Sequence, residues 1–459
     1  MDAGRGIVAV LGDEGCRTAI DLARREGVTV FVQVAGAKKA ASARRAAHEA
    51  GLLGTRIFVS EGDLRRIRLA DNVADALVVV GDAAVPREEA LRVVRPQGKA
   101  FVGGRALTKP SPAGVDDWTH HYHTPDNNPQ STDRLALAPY LTQFIAAPRY
   151  APAPQNVVAS GGRVFMAFGN IAWHEREEPW LDTLVAVNGF NGTLLWKRKL
   201  TSGIMVDRST MIATPTALYL ADEESCKLLD PATGRLIDEI AVPAKLAGGT
   251  FWKWMALHDG VLYALVGKQE ATDPVKRWRR TAHGWPWGAI SDGYNLKDPT
   301  AWDARKWQRT ESFDPKDHVW GFSKTLLAID PKTKKVLWRH TERKHAIDSR
   351  SLCMKNGRLC FCHFSKYLVC LDTKTGKEIW RKTPGNDPTL FKAIGPYCPY
   401  EAWSTGWRTT YYLRCSDKAL YFAGPQVFDV TAVSTDDGRH LWTYRAERNP
   451  HVLIRDEGL

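Results

Sequence analysis

The residues best suited to chemistry sit in one short stretch, Asp116-Asp117-Trp118-Thr119-His120-His121-Tyr122-His123-Thr124-Pro125-Asp126-Asn127-Asn128. Three histidines and three carboxylates fall within eleven residues. Imidazole nitrogen and carboxylate oxygen together suit a transition metal, which makes His120, His123 and Asp126 candidate ligands. A loose His/Asp loop is a less diagnostic pattern than paired cysteines. The preferred expectation is therefore a hydrogen-bonded loop that docks one domain on the other, with Trp118 as its anchor.

A second concentration of reactive surface lies at about 267–323. It holds six tryptophans, His283, His318 and the basic run Lys276-Arg277-Trp278-Arg279-Arg280. Aromatic faces beside cations suit sugar rings or anionic glycans through stacking and cation–π contacts. Arg277, Trp278, Arg280, His283, Trp285 and Trp287 form this candidate ligand face. The same residues would also serve as a cap over neighbouring structure, and the two expectations stand level.

Composition narrows the rest. A chain of 459 residues holds two or three domains and buries a large core without a staple. Its net charge of +12 favours acidic partners, but the basic residues are scattered and no aromatic-and-basic RNA motif accompanies them, so nucleic acid is disfavoured. Eight cysteines occur without a CxxC pair. Cys360-Phe361-Cys362 puts two sulfurs on one face of a strand, where they read as small core hydrophobes. No apolar run approaches the roughly 18 residues of a membrane span. Met1 to Gly6 leads directly into a strand rather than a secretory signal, so any export signal would lie outside this chain.

Around these candidates the elements change character along the chain. Residues 6–104 alternate between buried strand patterns, at Ile7–Leu11, Val28–Val34, Arg56–Val59, Ala76–Val80 and Ala100–Val102, and helical stretches at Arg17–Arg25, Lys38–Ala50 and Arg87–Val94. Such alternation predicts a doubly wound parallel sheet with a crevice at the C-terminal strand ends. Leu11-Gly12-Asp13-Glu14-Gly15, Glu61-Gly62-Asp63, Leu69–Asp75 and Glu89–Gly98 fall at successive landmarks along that sheet. In this order they resemble a class I S-adenosylmethionine-dependent methyltransferase. That resemblance implies a Rossmann-like domain over 1–105, with Gly12, Asp13 and Gly15 at the cofactor turn, Gln33 where the family carries a ribose-binding carboxylate, and Asp63 near the adenine. The reduced glycine turn and the missing carboxylate imply a degenerate site, with active methyl transfer as the minority expectation.

A connecting segment, 106–155, leads to repeats. Leu368–Trp380 gives the unit: a strand, Asp372, a turn with Gly376, and Trp380 on the strand beyond. Aligned on Asp372, the unit recurs at Asn188, Asp230, Asp330 and Ser434. Four positions on stand Gly192, Gly234, Lys334, Gly376 and Gly438, and eight positions on stand Trp196, Asp238, Trp338, Trp380 and Trp442. Asp opens the turn through its side chain and Gly takes the left-handed position. The tryptophan fills the gap between neighbouring sheets. With a second hairpin before each unit, 156–459 predicts five four-stranded blades of a propeller.

These units resemble the PQQ-like repeat family, and the whole chain resembles bacterial proteins that fuse a methyltransferase-like domain to a PQQ-binding-like propeller. The resemblance implies an extracytoplasmic, periplasmic location, and PQQ with calcium, or S-adenosylmethionine, as the cofactors to consider. It implies more than five blades; His451–Leu459 reads as the start of a sixth, so the chain is expected to be a fragment. No adjacent cysteine pair and no evident base mark a quinoprotein centre. The expectation is a binding or assembly scaffold with a protein partner or an anionic ligand, the alternatives being a quinoprotein oxidoreductase completed by missing blades and a methyltransferase with an atypical loop.

Overall fold

The computed structural model describes residues 5–135, 147–169, 175–201, 209–221, 224–268, 322–363, 366–394, 412–423, 429–446 and 452–455. The first part is an α/β layer. Strands β1 (Gly6–Leu11), β2 (Val28–Val34), β3 (Ile57–Glu61), β4 (Ala74–Val79) and β5 (Val94–Val102) alternate with helices α1 (Arg17–Ala23), α2 (Ala37–Glu49) and α3 (Arg87–Val93). The sheet order is β3-β2-β1-β4-β5-β6, where β6 (Arg105–Thr108) is antiparallel to β5 and the other pairs are parallel.

Period-two alternation decides which helix covers which face. Val8 and Val10 point to the side where Ala19 of α1 and Ala40, Ala43 and Ala47 of α2 pack. Ala9 and Leu11 point to the other, against Ala90 and Val93 of α3. Strand β5 begins earlier than its apolar run at 100–102, because residues 94–100 alternate between buried and exposed or half-buried positions rather than forming a continuous hydrophobic stretch. The exposed edge strand β6 has no such run at all, and it carries the sheet to Thr108, past the boundary expected at 105.

Among the described residues beyond 155 lie five four-stranded antiparallel sheets; four are formed by strands consecutive in sequence, and the third skips the short strand Phe322–Ser323, which pairs with Ile347–Asp348 instead. They begin with Asn156–Ser160, Met211–Ala213, Phe251–His258, Cys353–Lys355 and Tyr412–Cys415 and end with Leu194–Lys199, Leu236–Ala241, Val336–Thr341, Glu378–Lys382 and His440–Arg445. First strands of successive sheets lie side by side, 156–160 against 211–213, 211–213 against 251–258, and 353–355 against 412–415.

The turn chemistry explains why the repeat needs its residue types. The Asp372 carboxylate accepts hydrogen bonds from the Thr375 amide and hydroxyl, and Gly376 closes the turn at φ +68°. Trp338 of the preceding sheet lies on that glycine: a Cβ at Gly376 would sit 2.6 Å from the indole, and Trp338 Nε1 donates to Thr373 O at 2.7 Å. Trp196 meets Gly234 and Pro231 O in the same way, and Trp380 meets Gly438 and Thr435 O. Glycine is required twice over at these turns, by backbone angle and by the close approach of a ring. Trp196 and Trp380 are buried, whereas Trp442, on the last strand described, is 39% exposed.

Candidate functional site

Three places carry the residues singled out by sequence. At the C-terminal ends of the parallel strands, Gly12 adopts φ +81°, and a Cβ there would lie 2.9 Å from Val80 O. Asp13 is buried and accepts from the Arg17 amide (3.1 Å) and the Ala19 amide (2.9 Å), so it takes up the free N–H groups at the start of α1. Those are the donors an anionic cofactor group would use. A Cβ at Gly15 would meet only the Arg17 side chain, at an ordinary 3.9 Å.

Gln33 is fully buried at the end of β2. Its Nε2 donates to Asp63 O (2.8 Å) and Arg66 O (3.0 Å), and its Oε1 accepts from the Arg68 amide (2.8 Å). The amide thus stitches the loop after β3 down over the strand ends. A carboxylate cannot replace it, since two of its three partners are carbonyl oxygens that need a donor. The Asp63 carboxylate accepts from the Arg65 amide in a local turn. These residues do not fit S-adenosylmethionine: the acceptor for its ribose is absent, and the side chain in that place holds the loop.

The His/Asp stretch forms the second place, and its geometry is that of a hub. Trp118 exchanges backbone hydrogen bonds with Ala159 of the first repeat sheet, and Thr119 O accepts from Ala213 N of the second. His120 Nε2 accepts from Leu257 N of the third at 3.1 Å. Pro125 O accepts from Met354 N of the fourth and Asp126 O from Cys415 N of the fifth. Asn127 Nδ2 donates to both Leu352 O and Leu413 O, joining the fourth sheet to the fifth, and Asn128 pairs with the Ile454 backbone through both side-chain atoms. The stretch from Trp118 to Asp126 therefore meets the first strand of each sheet in chain order, four of them through its backbone and the third through the His120 ring, which explains why it lacks a regular element of its own: its backbone groups are spent on other sheets.

The titratable groups of the hub are committed to the same task. Burial, with His258 and His123 nearby, pushes the His120 pKa down to about 3, so its ring is neutral and free to accept from Leu257. Burial works to raise the Asp116 pKa, but hydrogen bonds from the Thr132 amide and the Ser131 hydroxyl, with His123 alongside, hold it below the ordinary range. His123 Nε2 lies 2.8 Å from Asp116 Oδ2, and Lys355 Nζ lies 3.1 Å from Asp126 Oδ2. His120, His123 and Asp126 thus face different partners, and among the described residues no group of three His, Cys, Asp or Glu converges on a point where a metal would sit. That set offers no calcium cage for a quinone cofactor either.

The third place is the insertion. Strand 261–267 pairs directly with 325–329, so the long segment leaves and re-enters between two hydrogen-bonded neighbours. Arg277, Trp278, Arg280, His283, Trp285 and Trp287 lie outside the described residues.

Sequence reasoning passed over the residues that join the two halves. Asp75, at the start of β4, accepts from Ile7 N, from Arg95 Nε and, across the domain boundary, from Asn191 Nδ2 and Thr193 Oγ1 of the first repeat turn. A signal existed in Asp75 itself, an acid inside an otherwise apolar strand, but its partner lies over a hundred residues away.

The sequence family of outer membrane protein assembly factor BamB matches residues 322–458. No curated protein matches the chain. Among solved structures, BamB from Moraxella catarrhalis is 10% identical with a TM-score of 0.36, over 64% of this chain and 64% of its own. A methyltransferase from Methanococcus maripaludis, described as putative and S-adenosyl-L-methionine-dependent, is 23% identical over 22% of this chain and 48% of its own, with a TM-score of 0.21. A SAM-dependent methyltransferase from Aquifex aeolicus is 19% identical over 21% of this chain and 54% of its own, at 0.20. The chain thus spans less than two thirds of the length of each.

Proposed function

We propose that this PQQ-like repeat chain, joined to a methyltransferase-like α/β layer, is a binding and assembly scaffold that works through protein partners outside the cytoplasm. The five described sheets are blades of a propeller whose ring is larger than five, and the α/β layer is a Rossmann-like domain that has lost its cofactor chemistry. The single observation that carries this reading is the commitment of Gln33: the side chain at the ribose position is fully buried and bonded three times to its own loop. The match of residues 322–458 to the family of outer membrane protein assembly factor BamB supports the assembly role. A glycan-binding role for the insertion rests on its sequence composition alone.

The test is catalytic. The purified chain is supplied with PQQ, calcium and an artificial electron acceptor across a panel of alcohols and sugars, and separately with S-adenosylmethionine and a mixed pool of methyl acceptors. A scaffold gives neither dye reduction nor methyl transfer. Turnover in either assay would replace this reading with an oxidoreductase or a methyltransferase.

A further inference from the structure

Between the α/β layer and the first two repeat sheets lies a cleft of about 890 Å3, at the opposite end of the parallel strands from Gly12, Gln33 and Asp63. Arg5, Arg95 and Lys99 line it from the α/β side and Lys197 from the first repeat sheet. Against these four cations stands one carboxylate, Asp75, and it is already taken: Arg95 Nε sits 2.6 Å from Oδ1, and Ile7 N and Asn191 Nδ2 donate to Oδ2. Among the described residues Arg5 pairs with Glu26 alone, whose side chain is 88% exposed, and such a surface pair contributes little. Among the described residues Lys99 and Lys197 make no ion pair, and both are exposed.

Lys99 on one wall and Lys197 on the other, the latter with its Nζ 5.5 Å from the Trp180 ring centroid, have no carboxylate partner among the described residues; such cations raise the local potential and draw in an anion of more than one charge. The volume falls within the range of sites for small organic ligands and exceeds what a bare phosphate needs. Phe101 and Trp196 supply aromatic surface in the same cleft. We infer that this cleft binds a small molecule that joins clustered phosphates to a ring, of the nucleoside diphosphate class, with Arg5, Lys99 and Lys197 on the phosphates and Phe101 beside the ring. Recognition here does not depend on the scaffold reading, and it uses none of the residues of the strand-end crevice.

The experiment is calorimetric titration of the whole chain at low ionic strength with three probes: ADP, inorganic pyrophosphate and adenosine. ADP binds, pyrophosphate binds more weakly and adenosine gives no heat. Lys99→Glu and Lys197→Glu each weaken ADP by about tenfold or more, while Asp63→Ala leaves it unchanged. Both lysines are exposed, so the variants keep their fold, and circular dichroism verifies that. The inference is overturned if ADP does not bind, if pyrophosphate binds as tightly, if either charge reversal has no effect, or if Asp63→Ala abolishes binding.

Discussion

Lys334 donates to the Asp238 carboxylate across the seam between the second and third repeat sheets. At the other three seams described, a tryptophan lies on a glycine in the next sheet. Asp238 stands where that tryptophan would be and Lys334 where the glycine would be, so the two departures from the repeat answer each other. An ion pair has replaced a ring stacked on a bare backbone, and Lys334 still takes the glycine's left-handed angle, φ +60°.

This pairing predicts a salt-dependent effect. Lys334→Gly relieves the left-handed strain but removes the charge pair, which is solvent-exposed and screened by salt. Thermal unfolding in high salt should show the variant a few degrees more stable than the parent, with the gain shrinking or reversing in low salt. A difference independent of salt would mean the pair contributes nothing.

The tryptophan seams are worth more. Trp380→Ala opens a cavity between the fourth and fifth sheets and frees Thr435 O, and it should cost about 3–5 kcal/mol in urea unfolding. Trp442→Ala, at a half-exposed position, should cost well under half as much. Gly376→Ala combines a forbidden angle with a Cβ 2.6 Å from Trp338. It should therefore destabilise by more than the roughly 1–2 kcal/mol of the left-handed penalty alone.

Asn127 is the most exacting position of the hub. Asn127→Asp places a carboxylate against two carbonyl oxygens, Leu352 O and Leu413 O, that now receive hydrogen bonds. A loss of about 2–3 kcal/mol is expected. Amide exchange should show the loss concentrated in strands 353–355 and 412–415, and a uniform loss across all sheets would contradict a local bridge.

Acid should loosen the hub in a defined window. His120 has a pKa near 3 when folded against an ordinary value of 6.5, so the unfolded chain binds its proton first. Its contribution is fully present above pH 6.5 and falls by up to about 1.4 kcal/mol per pH unit from there toward pH 3. His363, pushed down to about 4 chiefly by burial, acts in the same direction. Urea unfolding between pH 7.5 and 4.5 should show the decline, and His120→Gln, which keeps an acceptor for Leu257 N–H, should flatten it.

Much of the architecture was written in local spacing. Asp, Gly and Trp at intervals of four, each kept in most units, marked the repeats, because the turn and three of the four seams are rebuilt from the same contacts. The compensation of Asp238 by Lys334 was visible only as two separate exceptions, since pairing them requires knowing that the eighth position of one unit meets the fourth of the next. The hub was harder. Trp118 to Asn128 announced polar side chains, yet most of what they do is done by backbone atoms and amides toward backbone up to 326 residues away. Gln33 was noted for what it is not, a carboxylate, and only the carbonyls of Asp63 and Arg66 show why an amide stands there.

The most direct measurement of the central claim is equilibrium titration of the chain with S-adenosylmethionine, followed by PQQ with calcium. Committed side chains at the strand ends and the hub predict no heat of binding from either. Micromolar S-adenosylmethionine binding that Asp63→Ala abolishes would contradict the account, because the loop that Gln33 holds would then have to be a cofactor loop.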